Sequence, residues 1–500
     1  MSGTAKAKNL IGGEWVDARS GAMLESRNPA DRDDVVGVVP ASATADVDLA
    51  VEAARGAYKK WRDTPAPRRC EILFRAAELL VREKEELGRL VTREMGKILA
   101  EGLSDVQEAI DIGYYMAGEG RRMAGETVPS ELPDKDCKSV RVPVGVFALI
   151  TPWNFPTAIP AWKIFPALAA GNTVVFKPSS HTPVAAARLV ELFVASGIPA
   201  GVLNLVHGTG DAVGERLAAH RGVDGVSFTG SSAVGGAIAA GCAALGTEVS
   251  CEMGGKNPEI VMDDARIDLA VEGALWGAFG TTGQRCTATS RVIVHEAVHD
   301  RFLEAFIDAA RGLRLGPGLD PATEVGPLIN EEQMNKVLEY IEIGKGEGAT
   351  LALGGSRRTD GELGRGWFIE PTVFTDVTPE MRIAAEEIFG PVVAVIKAGG
   401  LSHAIDIAND VDYGLSSSIY TRDVNNSAVA ERDLDAGVVY INAPTIGAEV
   451  HLPFGGFKKS GTGRKEAGGR GGALDTFTRW KAVYRDFSGR LQKAQMDEGR

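Results

Sequence analysis

Between residues 144 and 252 the chain alternates apolar runs with helical stretches, and this constrains the fold more than any other feature. The apolar runs are 144–151, 173–178, 202–207, 225–229 and 248–252, with helical stretches at about 158–170, 182–197, 211–220 and 232–243. Continuous Val/Ile/Leu strands separated by helices are the pattern of a parallel sheet covered on both faces. The fold class expected is therefore α/β, with a doubly wound domain of nucleotide-binding type. Sheets of this kind bind ligands at the carboxyl ends of their strands.

A second alternating region follows Pro258, with strands at 290–295, 371–375, 392–397 and 437–442 and helices at about 298–312 and 401–410. It is long enough to be a separate domain. Residues 1–40 read as short strands and turns around Gly12-Gly13 and Asn28-Pro29. Thr44 is placed to N-cap a helix with Asp46 in its first turn, reaching about Trp61. Ile72, Leu73, Ala76, Leu79 and Leu80 fall at helical spacing within 68–95, and a further helix is expected over about 101–123. Turn formers followed by Val140-Arg141-Val142 predict a projecting hairpin at 124–143. Phe477 to Tyr484 alternates bulky and polar residues as a half-buried strand. An exposed edge must be paired or protected, so this strand and the hairpin are expected to form an oligomerisation surface. Residues 486–500 read as a polar, flexible tail.

Five hundred residues with a net charge of −13 and a pI near 5.2 fit neither nucleic acid nor an anionic membrane surface as partner. Lys163 and several prolines interrupt the most apolar stretch, 144–170, so no transmembrane segment is expected, and Met1 to Trp15 holds no signal-peptide run. The cysteines at 70, 137, 242, 251 and 286 are odd in number and irregularly spaced. That suits reduced thiols and a cytoplasmic location. Neither C-x-x-C nor H-E-x-x-H occurs, so no metal site is expected.

The chemistry is concentrated between Glu252 and Cys286. Glu252-Met253-Gly254-Gly255-Lys256-Asn257-Pro258 opens this stretch and Gly283-Gln284-Arg285-Cys286-Thr287 closes it. Glycines permit close backbone approach to a ligand. A thiolate attacks electrophilic carbon and a carboxylate takes a proton from water, which together imply a covalent intermediate that is made and then hydrolysed. The alternative is that Cys286 is a small buried apolar residue, the usual fate of a free cysteine. Two glycine loops compete for a phosphate. His207-Gly208-Thr209-Gly210-Asp211 with Gly214 and Phe228-Thr229-Gly230-Ser231 with Gly235 each follow a strand and open a helix. Spacing alone does not choose between them.

Seven motifs in order resemble those of the NAD(P)-dependent aldehyde dehydrogenase superfamily over nearly the whole chain. They are Pro152-Trp153-Asn154-Phe155-Pro156, Gly171-Asn172-Thr173 with Lys177-Pro178-Ser179, Phe228-Thr229-Gly230-Ser231, Glu252–Lys256, Gln284-Arg285-Cys286, Glu387-Ile388-Phe389-Gly390-Pro391, and Pro453-Phe454-Gly455-Gly456 with Ser460-Gly461. The resemblance implies a Rossmann-type cofactor domain (1–123 and 144–253), an α/β catalytic domain (254–465) and a small β oligomerisation element (124–143 and 466–500). It implies Cys286 as nucleophile, Asn154 and the Cys286 N–H as oxyanion donors, Glu252 as the base for water, and Lys163 in a proton relay. Glu387 and Phe389 are then expected at the nicotinamide ribose and ring, Trp153 among the other cofactor contacts, Lys177 at the adenosine ribose, Gly230 and Ser231 at the pyrophosphate, and Gly210 beside the adenine. The family assembles as homodimers or homotetramers.

Two choices stay open. Many NAD-preferring members carry an acidic residue three after the lysine, where this chain has Ser180, so NADP is expected to be accepted along with NAD. For the small-molecule aldehyde, Arg285 suits the far carboxylate of an ω-semialdehyde acid. The loop Pro444–Glu449 resembles that of the aminoadipic semialdehyde group. Trp162, Phe155 and Phe454 suit an apolar or aromatic aldehyde instead, and succinic semialdehyde enzymes often carry an arginine where Trp162 stands. An acyl-transferring relative that uses CoA is the alternative reaction, and Glu252 argues against it.

Overall fold

The computed structural model describes residues 4–496. Two large sheets organise it, and the Glu252–Asn257 segment joins them. In the first, the spatial order is Glu248–Glu252, Gly225–Thr229, Val146–Ile150, Thr173–Lys177, Leu203–Leu205, all parallel, extended antiparallel by Asn9–Ile11 and Glu14–Val16. The parallel strands begin in the middle with Val146–Ile150, wind outward through Leu203–Leu205, then return to the other side. The topological switch therefore falls between Val146–Ile150 and Gly225–Thr229, where a ligand crevice is expected.

All five residues of Val146–Ile150 are buried, as are those of Thr173–Lys177 and Gly225–Thr229. Phe147 and Leu149 share a core with Ile164, Phe165 and Leu168 of the helix Ala158–Ala170. Each such side chain contributes about 1.5–3 kcal/mol on burial. Apart from Lys163 this helix is apolar all round because neighbours cover every face. Its packing is close: a Cβ on Gly113 of the helix Leu99–Glu119 would stand 2.8 Å from the Phe165 ring.

The second sheet runs Thr350–Leu353, Thr372–Thr375, Val392–Ala398, Thr289–His295, Asn257–Val261, Ser416–Tyr420, Val438–Ile441, with only Thr350–Leu353 antiparallel. A third joins Thr478–Asp486 to Lys135–Pro143 and Glu126–Val128, in the antiparallel register Thr478↔Pro143 to Asp486↔Lys135. The expected hairpin and late strand are thus one structure. Residues 497–500 of the expected tail lie outside the described residues.

Three local expectations need correction. The first long helix is Thr44–Asp63, but Ala43 is its N-cap, and Asp46 satisfies the Ala43 N–H at 3.0 Å and the Arg19 N–H at 3.0 Å. The stretch 211–220 is a wide turn, Gly210–Gly214, running into one helical turn, Glu215–Ala218. The helix expected to reach 123 stops at Glu119, where Gly120 packs so tightly that a Cβ would meet Cys70 Sγ at 2.5 Å. No helix among the described residues is long and apolar enough to cross a membrane.

Candidate active site

Parallel register aligns the carboxyl ends of the first sheet, Ile150 beside Lys177 and Phe228, and Thr229 beside Glu252. The loops leaving these ends border a cleft of about 650 Å³ of empty space. Trp153, Asn154, Gly230, Ser231, Cys286, Glu387 and Phe389 all line it. Gln333 and Lys336 line it as well. Reading the sequence missed this pair, because their helix, Glu331–Gly346, has an ordinary amphipathic pattern and no motif.

Cys286 is held by its backbone. Asn257 Nδ2 donates to the Cys286 carbonyl at 2.8 Å, and a Cβ on Gly255 would stand 2.5 Å from that same oxygen. A Cβ on Gly254 would meet Glu387 Oε2 at 2.3 Å, and the Gly255 N–H donates to Glu387 Oε1 at 3.0 Å. The two glycines therefore admit protein groups, not only a ligand. The turn before the thiol is strained, with Thr281 and Thr282 at φ of 51° and 57°, an arrangement costing about 1–2 kcal/mol per residue. Glu101 Oε1 accepts the Thr281 N–H at 2.7 Å, and the Thr282 hydroxyl donates to the Gly326 carbonyl at 3.0 Å, which offsets it. Burial, then the carboxylates of Glu387, Glu252 and Glu466, push the Cys286 thiol up to about 12. Asn154 is buried, and its Nδ2 donates to the Gln284 carbonyl at 3.0 Å, two residues before the thiol.

Glu252 does not line the cleft. Its Oε2 accepts the Gly456 N–H at 3.0 Å, while the buried Oε1 has no partner among the described residues. Burial first, then the Glu466 carboxylate, hold the Glu252 carboxyl well above the carboxylate range, against the Gly456 N–H and the charges of Lys465 and Lys163. Lys163 does not bond Glu252. Its ammonium pairs with Glu466 and donates to Ser227 Oγ at 2.8 Å, while the Thr229 hydroxyl donates to Glu466 at 2.9 Å. Glu466 is the functional candidate that sequence reading overlooked, since a lone acid in a Gly/Lys-rich loop carries no spacing signal.

At the far end of the rim, Lys177 is buried, and among the described residues its ammonium donates only to the Pro178 carbonyl, at 2.9 Å. Burial lowers its ammonium to about 8. A Cβ on Gly214 would stand 3.5 Å from Lys177 Cδ, so the Gly210–Gly214 turn borders this end, with half-buried Ser180 on the following turn. Ser231 is the N-cap of the helix Ser232–Leu245, which turns its positive end toward the cleft. Phe389 takes φ of 61°, held by Gln333 Nε2 donating to the Ile388 and Phe389 carbonyls at 3.0 and 2.8 Å. Its ring meets Trp153 edge-on at 5.4 Å. An under-satisfied ammonium, a helix start and an acid poised at Gly254 fit a dinucleotide.

The expected substrate residues Arg285, Phe155, Trp162 and Phe454 do not line this cleft. Arg285 donates to Glu101 at 3.0 Å and to Thr281 Oγ1 at 2.9 Å, and stands over Phe155 at 5.5 Å. Trp162 and Phe454 pack edge-on at 5.3 Å. No group of three or more His, Cys, Asp or Glu among the described residues is arranged to hold a metal.

Residues 15–483 match the model of the aldehyde dehydrogenase family. The chain belongs to that family. It is 45% identical over 476 residues to the alpha-ketoglutaric semialdehyde dehydrogenase of Bacillus subtilis, covering 95% of this chain and 97% of that one. It is 46% identical over 481 residues to the alpha-ketoglutarate semialdehyde dehydrogenase of Haloferax volcanii, covering 96% and 99%. Among solved structures, the betaine aldehyde dehydrogenase of Staphylococcus aureus in complex with NAD+ superimposes with a TM-score of 0.94 at 37% identity, covering 97% of this chain and 96% of that one. The aldehyde dehydrogenase fold and the oxidation of an aldehyde through a cysteine follow from membership.

Proposed function

We propose that this aldehyde dehydrogenase oxidises the aldehyde end of an ω-semialdehyde acid, with α-ketoglutarate semialdehyde the first candidate. The observation that carries this reading is the guanidinium of Arg285, one residue from the thiol and standing over Phe155. The names of the 45–46% identical relatives support it. Trp162 and Phe454 would flank the short carbon chain.

In this reading Cys286 attacks the aldehyde carbon, and Asn154 with the Cys286 N–H takes the developing oxyanion. Such donors typically contribute ~3–4 kcal/mol in the transition state. Lys177, Ser180 and Gly210 would hold the adenosine end of the dinucleotide, Gly230 and Ser231 its pyrophosphate, and Glu387, Phe389, Trp153, Gln333 and Lys336 its nicotinamide end. When bound, the nicotinamide supplies the acceptor for the hydride. Glu252, deprotonated, takes a proton from the water that hydrolyses the Cys286 thioester, and the Glu466–Lys163 pair passes that proton on. NADP is accepted alongside NAD, since Ser180 presents a hydroxyl and no carboxylate. The division into cofactor domain, catalytic domain and oligomerisation element is part of the same reading.

The test is the appearance of reduced nicotinamide across a panel of ω-semialdehyde acids, aliphatic aldehydes and aromatic aldehydes, with and without CoA. A preference for the acids without CoA supports the proposal. A preference for neutral aldehydes removes the substrate assignment, and strict dependence on CoA removes the hydrolytic step.

We also propose a homodimer or homotetramer. The helix Ser232–Leu245 carries no charged residue and exposes Val234 and Leu245, while Thr478–Asp486 is an edge strand exposing Trp480 and Tyr484. Val234→Glu should yield smaller particles in size-exclusion chromatography with light scattering. A native protein already monomeric at working concentration contradicts the assembly.

A further inference from the structure

The face of the helix Leu99–Glu119 that turns toward Phe155 and Arg285 carries three acids at helical spacing, Glu101, Asp105 and Glu108. Glu101 meets Arg285. Asp105 meets Lys97 at 3.1 Å, and both side chains of that pair are 0% exposed. A buried ion pair is costly unless its remaining lone pairs are satisfied. Those of Asp105 are satisfied in one place. Its Oδ1 accepts the Thr157 hydroxyl at 2.6 Å, the Thr157 N–H at 3.3 Å and the Ala158 N–H at 2.6 Å. Asp105 thus caps from a distance the helix Ala158–Ala170, whose own N-cap residue, Thr157, makes no side-chain cap.

Lys97 meets the same turn from another direction, its ammonium 3.8 Å from the centroid of the Phe155 ring. The backbone around it has little room to shift, since a Cβ on Gly318 would stand 2.3 Å from the Lys97 carbonyl. Between these two holds lie Phe155 and Pro156, directly after Asn154. The Asn154 amide depends on where this turn sits, because a third hold, its bond to the Gln284 carbonyl, leads back to the thiol.

We propose that Lys97 and Asp105 are positioning residues for the oxyanion-donor turn, fixing the Asn154 amide relative to Cys286 without touching the substrate. The inference rests on the role proposed for Asn154. Asp105 fixes the turn through its backbone, Lys97 through the adjoining ring, and their mutual charge keeps both in place. A misplacement of about 1 Å at a reacting centre can cost ~100-fold in rate.

The experiment compares Lys97→Met, the charge-free double variant K97M/D105N, Asn154→Ala and the triple combination in the holoenzyme. The readouts are kcat and KM for the preferred aldehyde, cofactor affinity by fluorescence, and alkylation of Cys286 by iodoacetamide, which needs no oxyanion donor. We expect kcat to fall ~10-fold or more in K97M/D105N, with cofactor affinity and alkylation rate within ~2-fold of the native protein. The further loss on adding these changes to Asn154→Ala should be small, since residues acting through one another are not additive. Unchanged kcat in K97M/D105N, or losses that add fully to those of Asn154→Ala, overturns the proposal. So does a parallel fall in alkylation and cofactor affinity, or a double variant that does not fold while Lys97→Met retains native kcat. If Asn154→Ala alone keeps the native rate, the oxyanion reading fails instead.

Discussion

Arg285 Nη2 lies 3.0 Å from Glu101 Oε1 in a pair whose side chains are only 12% and 11% exposed. The guanidinium beside the nucleophile is therefore partly neutralised before any substrate arrives, and Glu101 also holds the strained Thr281 turn. Arg285 serves the loop and, in the proposed function, the substrate.

These two roles separate by substitution. Arg285→Ala should lower kcat/KM for ω-semialdehyde acids by ~10-fold or more relative to neutral aldehydes, the usual scale for losing a charge-assisted hydrogen bond. Glu101→Gln keeps an acceptor for Thr281 and removes the competing charge, so KM for the acids should fall. Steady-state kinetics on one acid and one neutral aldehyde of equal length check this. Equal losses on both substrates would leave Arg285 a structural residue.

The Glu466 carboxylate predicts a pH effect. Burial and Glu466 raise the Glu252 carboxyl well above its ordinary 4.5, so its basic form is gained as pH rises through the raised value and lost as pH falls through it. Glu466→Gln removes the like charge and frees the Lys163 ammonium, and both changes favour ionised Glu252. The acid limb of kcat should move to lower pH wherever thioester hydrolysis limits turnover. A limb unmoved, or moved upward, would detach Glu466 from Glu252.

Cofactor choice can be tested at one position. If Ser180 faces the adenosine ribose as proposed, Ser180→Glu sets a carboxylate against a 2′-phosphate, and repulsion should cut kcat/KM for NADP by ~10-fold or more while NAD changes far less. Initial rates with both cofactors decide it. Equal effects on both would place Ser180 away from the ribose.

Much of this was legible in the sequence because the signals are local. The strands Gly225–Thr229 and Glu248–Glu252 fall where their apolar runs end, and the motif residues Trp153, Asn154, Gly230, Ser231, Cys286, Glu387 and Phe389 converge on one cleft. What escaped depends on contacts between distant segments. Glu466 reaches Lys163 across 303 residues and Arg285 reaches Glu101 across 184, distances at which no periodicity operates. The glycines after Glu252 were legible as points of close approach. That they admit Glu387 and the Cys286 carbonyl is a property of the folded chain. The N-cap misplaced onto Thr44 has a similar origin, since Asp46 caps from inside the helix and ties down Arg19 as well.

In the proposed function the Cys286 thiol carries the acyl group and the buried Glu252 carboxylate activates the water that frees it. Intact-protein and peptide mass spectrometry of Glu252→Gln during turnover with aldehyde and NAD(P)+ test it most directly. The account predicts an acyl adduct on Cys286 that accumulates while steady-state turnover falls. Undiminished turnover with no adduct, or an adduct on another cysteine, would contradict it.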